Sequence, residues 1–218
     1  MKNKKLVIAS VILVMFLSGC KTIVTSNIYT EDVFSDENTE VPVEMKLEVS
    51  SCTGEHLEEA KTDVLALFSS TSNAAIAGCE SEGFDSFLLI SIVGTMASEN
   101  AQSDVIIFRR SFTDSSEIGL AVVLSPNFLN RVNNLASSNM QTISHDDFEF
   151  IFNIHNDSGT EIEVYSDLGW LNGEASLDRT SVIKKRRILE YKTSDVISAL
   201  ILEQKQPVVL WVMPTSTE

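Results

Sequence analysis

Three cysteines and three histidines carry most of the reactive chemistry open to this chain. His145-Asp146-Asp147 is its densest cluster of a base and acids, the residue types that a metal site or a general acid/base pair needs. Adjacent residues of a strand point to opposite faces, which argues against a shared site. The cluster therefore reads as polar solvation at the start of a strand beginning at Phe148. His155-Asn156-Asp157 runs into Ser158-Gly159 and reads as a hairpin turn, and His56 as a surface residue in the first turn of a helix. There is no Gly-x-Ser-x-Gly elbow, no His-Glu-x-x-His, no phosphate-binding loop and no Gly-x-Gly-x-x-Gly. The sequence assigns no catalytic residue, no metal ligands and no cofactor.

The cysteines divide by position. Lys2, Lys4 and Lys5 precede an apolar run from Leu6 to Leu17. A membrane span needs about 20 apolar residues, so this run fits the core of a secretory signal instead. Leu17-Ser18-Gly19-Cys20 closes it and resembles the bacterial lipobox. That resemblance implies a signal peptide over 1–19, cleavage before Cys20, diacylglycerol on the Cys20 sulfur and an acylated new amino group. Lys21, in place of Asp, implies an outer-membrane destination facing the periplasm. Cys52 and Cys79 remain as an even pair in an exported protein, which reads as a disulfide. A metal pair is the alternative, but only His56 lies near either thiol. The bond would contribute about 3.5 kcal/mol through loop closure.

With 218 residues and 44% hydrophobic content, the chain can bury a core in one domain or two small ones. Its net charge of −15 disfavours nucleic acid as a partner. Residues 20–40 read as the lipidated cysteine and a tether, the acidic Glu31–Glu40 as a loop, and Ile23 to Tyr29 as a strand that could join the domain. Val41–Val49 alternates as a strand. Leu57, Ala60, Val64 and Leu67 recur at helical spacing after a capping Thr53. Strands follow over 84–97, 104–112 and 117–124. Ser125-Pro126 opens a second helix. Three more strands cover 148–155, 160–165 and 182–191, with a turn at Trp170-Leu-Asn172-Gly173. A helix capped by Ser194 and a strand over 207–213 complete the order. Short turns between neighbouring strands imply antiparallel pairing. The expectation is a single α+β domain over 41–218, with mainly antiparallel sheets and about three helices.

Lys184-Lys185-Arg186-Arg187 is the one compact basic run in this acidic chain. It reads either as charge protecting an exposed edge strand or as a contact for an anionic partner. Arg109-Arg110 takes the same two readings, and Trp170 and Trp211 read as core or rim residues.

Several short motifs together resemble a family of small, uncharacterised lipoproteins of phages, prophages and related mobile elements. They are Leu17-Ser-Gly-Cys20, the Thr25-Ser26 to Tyr29 segment, Val49-Ser-Ser-Cys52, Gly78-Cys79 and Gly83-Phe84-Asp85-Ser86. Asn156-Asp157 and Trp170-Leu-Asn-Gly173 join them. The resemblance implies a mobile element decorating its host's envelope and carries over no catalytic residue. The expected function is a membrane-tethered interaction module with an envelope protein as partner, as in superinfection or entry exclusion. An envelope hydrolase and a passive structural lipoprotein are the alternatives.

Overall fold

The computed structural model describes residues 21–68, 73–98, 103–112, 117–138 and 144–214. Cys20 and the signal segment lie outside the described residues, as does the turn expected at 113–116. Eleven strands join one sheet: β1 (Thr22–Tyr29), β2 (Thr39–Val49), β3 (Ala75–Glu82), β4 (Asp85–Ala97), β5 (Ile106–Phe112), β6 (Ile118–Leu124), β7 (Phe148–His155), β8 (Ile162–Leu171), β9 (Glu174–Ile183), β10 (Ile188–Thr193) and β11 (Val208–Pro214). Four helices interrupt them: α1 (Thr30–Phe34), α2 (Glu55–Leu65), α3 (Pro126–Ser138) and α4 (Asp195–Leu202).

These elements correct the expected α+β class. The described residues are mostly β, with 54% in strands and 22% in helices, and the sheet is mixed. Two parallel pairings make it so. Thr22 of β1 faces Phe148 of β7, and Thr95 of β4 faces Ile107 of β5. Both join strands that no short turn connects, so local turn signals could not reveal them. β3 and β9 were missed because both are edge strands with polar, exposed residues and no clean alternation. The acidic stretch expected as a loop folds as α1 and the start of β2.

The sheet closes on itself. Its order runs β10-β7-β1-β2-β4-β5-β6-β11-β8, and β8 returns to β10. β9 occupies one whole edge of β8. On the other edge β11 pairs with residues 162–165 and β10 with 169–171. One edge therefore receives both ends of the curled sheet. The inward positions of β8 change parity there, from Ile162, Val164 and Ser166 to Gly169 and Leu171, which are all buried. β4 branches in the same way, giving one edge first to β3 and then to β5.

The ring encloses one core. Alternate residues of β1, β2, β4 and β7 point inward, among them Val24, Ile28, Val43, Met45, Ile90, Phe150 and Phe152. Phe108 meets Phe152 edge to face at 6.2 Å, so side chains from β5 and β7 touch although three strands separate them in sheet order. Tyr191 stacks on Phe152 and donates its hydroxyl to the Leu168 carbonyl at 2.6 Å. A Cβ on Gly169 would lie 2.4 Å from the Tyr191 ring and from the Lys192 carbonyl oxygen, so only glycine lets β8 and β10 meet. Cys52 and Cys79 are disulfide-bonded, tying the loop after β2 to β3.

Candidate functional site

One end of the ring gathers the polar residues that the sequence distributes over four segments. β1 and β7 run parallel and finish together, with Tyr29 opposite His155 and His155 opposite Ile188 of β10. The Tyr29 and His155 rings stack at 4.8 Å, and His155 Nε2 lies 3.1 Å from Asn27 Oδ1. Asp157 Oδ1 accepts from the Thr30 hydroxyl at 2.9 Å and from the Glu31 N–H at 3.0 Å, fixing the start of α1.

Asn156 organises the turns at this end. Its side-chain amide donates to the Thr160 and Ile183 carbonyls at 2.9 and 2.8 Å. Its backbone N–H donates to the Arg187 carbonyl at 2.9 Å, and its carbonyl accepts the Arg186 N–H at 2.8 Å. The side chain is buried and every one of these polar groups is satisfied, which makes the arrangement rigid. In sequence Asn156 reads as part of a hairpin turn. It in fact laces the β7–β8 turn to the β9–β10 turn.

That second turn is Lys184–Arg187. The strand expected over 182–191 contains these residues. They form a turn instead, with Arg186 at φ 58°, and all four side chains are exposed. None of the four is in an ion pair among the described residues. Val182 and Ile188 flank the turn as exposed apolar side chains. The arrangement is a fixed, unneutralised cationic knob with an apolar margin.

The other sequence candidates lie apart from it. His145–Asp147 is a 3-10 turn directly before β7, which begins at Phe148 as expected. Asp147 Oδ2 accepts the Ser144 N–H at 2.8 Å and Ser144 Oγ accepts the Asp146 N–H, so the side chains of Ser144 and Asp147 cap the turn. His56 is exposed, 3.6 Å from Glu59. Trp170 lies on the outer face under the Lys192 ammonium, 5.9 Å away, and Trp211 covers Gly119.

Arg109 and Arg110 share neither expected role. Arg109 lines an open outer-face cleft of ≈ 650 Å³ together with Glu40, Thr95, Asp104, Asn127 and Gln206. Its guanidinium is engaged by the Gln206 side chain. Arg110 is only 1% exposed and points into the ring. It donates to the carbonyls of Asp32 at 3.0 Å and Glu37 at 2.8 Å, binding the α1 loop to β5. Burial pushes its guanidinium below its ordinary value, opposed by Asp36 and Asp32. Among the described residues no group of three metal-binding side chains occurs.

The closed mixed sheet and its cationic turn define a mostly β domain with an exposed basic patch at one end of the ring. The chain belongs to the DUF7424 family, a domain of unknown function whose model matches residues 22–217. The match begins on the first residue of β1. No curated protein and no solved structure matches the chain.

Proposed function

We propose that this protein is a lipid-anchored envelope protein of a phage or related mobile element, and that it works by occupying a protein partner rather than by turning over a substrate. Leu17-Ser18-Gly19-Cys20 supports the anchor, and with it palmitate-type acylation, a periplasm-facing outer-membrane location and a role in superinfection or entry exclusion. The observation that carries the binding reading is the Lys184–Arg187 knob, four exposed cations without ion-pair partners among the described residues, on an Asn156-braced turn in a chain of net charge −15. Such a feature recognises an acidic patch on a partner protein and steers its approach. Confinement at a membrane raises effective concentration, so modest affinity suffices to saturate a partner resident in the same envelope.

The test replaces the knob while keeping its backbone: Lys184→Ser, Lys185→Ser, Arg186→Asn and Arg187→Ser. Asn tolerates the positive φ at 186. Chemical crosslinking in intact envelopes should recover fewer partner adducts from this variant, with the deficit largest at low salt because exposed charges are screened as ionic strength rises. Equal recovery at every salt concentration, with folding and membrane level unchanged, would refute the binding reading.

A further inference from the structure

We infer that the β3–β4 hairpin, with Phe84 at its tip, rests on the lipid bilayer beside the anchor, so that the cationic knob faces away from the membrane. The inference depends on the lipid at Cys20.

The orientation follows from registry. Thr22 opens β1 and lies level with Leu47 of β2, which lies level with Leu88 of β4. Lys21 is already fixed, its N–H donating to Glu48 Oε2 at 3.0 Å and its carbonyl accepting the Glu48 N–H at 2.9 Å. Two residues of chain keep Cys20 within about 7 Å of Thr22. At the other end of β1, Tyr29 lies level with His155 and Ile188, next to the knob. Seven residues of strand separate the two levels by about 23 Å. A lipid on Cys20 thus places the Thr22 level at the membrane surface and the knob at the far end.

The hairpin extends past the Thr22 level. β3 and β4 pair as far as Glu82 and Asp85, leaving Gly83-Phe84 as a two-residue turn with Gly83 at φ 66°. Phe84 lies four residues beyond Leu88, about 13 Å further along the strand direction, and two strands or about 10 Å to the side of β1. That reaches deeper than Cys20. Phe84 is also fully exposed, the most exposed large apolar side chain among the described residues. Two acids of the hairpin are turned onto one cation: Glu82 meets the Lys46 ammonium at 3.0 Å and Glu80 meets it as well. An aromatic tip on a rigid hairpin, beside the point of lipid attachment, is suited to the headgroup region where aromatic side chains collect.

Two variants report on the two ends, Phe84→Trp and Ile188→Trp, both at exposed positions. Each lipidated protein is inserted into phosphatidylcholine vesicles brominated near the glycerol backbone, and its added indole emission is compared with that in unbrominated vesicles. Palmitate labelling is read on the same samples. The inference expects labelled protein, a blue shift and loss of emission for Phe84→Trp in brominated vesicles, and unchanged emission for Ile188→Trp. Labelled protein in which the Phe84→Trp indole is not quenched overturns the hairpin contact and leaves the anchor standing. Equal quenching of both indoles overturns the orientation. Protein without palmitate label overturns the anchor reading and this inference with it.

Discussion

Arg110 shows how one side chain can hold a loop. A buried guanidinium is costly unless its donors find acceptors, and here the Asp32 and Glu37 carbonyls take the two terminal nitrogens, while the buried Nε has no partner among the described residues. Arg110→Met keeps most of the volume but leaves both carbonyls without their donor, and should cost about 3 kcal/mol of stability in urea unfolding. An unchanged midpoint would show that the α1 loop does not need this contact. Lys46 offers a milder case on the surface. Glu80 first, and then Glu82, hold its ammonium above the ordinary value, and Lys46 holds the Glu82 carboxyl below its ordinary 4.5. The Glu82 contribution is present above 4.5 and fades as pH falls through the lowered value. The Lys46 contribution is present below 10.5 and fades only as pH rises through the raised one. Lys46→Met should therefore destabilise most near neutrality, and thermal scans should show the difference from wild type narrowing in acid. A difference that stays constant down to pH 3 would contradict this pairing.

At the scale of elements, β3 is the clearest dependent. It pairs with β4 alone and has no clean apolar face of its own. The Cys52–Cys79 bond supplies a second attachment across 27 residues of separation. Cys79→Ser should lower stability by about 3.5 kcal/mol on the loop-closure estimate. Hydrogen exchange in that variant should rise first in β3, while β1 and β7 stay protected. Uniform loss across the sheet would mean that β3 is not a separate local unit. β9 is the other edge strand, and Glu174, Asp178 and Arg179 along it are exposed charges of the kind that discourage pairing with a second chain.

At the scale of the molecule, the ring has no point at which it divides into independent halves. β7 lies against β1 across more than half the chain, and β11, the last strand, bridges β6 to β8. Closure therefore depends on contacts of high sequence separation, which form late and slowly. Heating should give one cooperative calorimetric transition, because neither half has a closed core alone. Two resolved transitions would show that the ring contains separable domains.

The sequence by itself determined the elements whose signals are local. Ser125-Pro126 does start α3, and Ser194 does accept the Ile197 N–H at the start of α4. Asn172-Gly173 forms the β8–β9 turn, with both residues at positive φ. An exported chain with two cysteines left after Cys20 pointed to the Cys52–Cys79 bond, which the structure contains. A capping side chain, an Asn-Gly turn and an even cysteine pair each act over a few residues or through a count, so they can be read in one dimension. Tertiary structure decided the rest. Arg109 and Arg110 are neighbours of the same type, yet strand parity sends one to an outer cleft and the other into the core. The Lys184–Arg187 run left its expected strand because Asn156, far upstream, holds its backbone in a turn. The parallel β1–β7 pairing and the shared edge of β8 made a ring where antiparallel sheets were expected. Those outcomes depend on which distant strands share hydrogen bonds and a core, and a linear pattern of apolar and polar residues does not encode that choice.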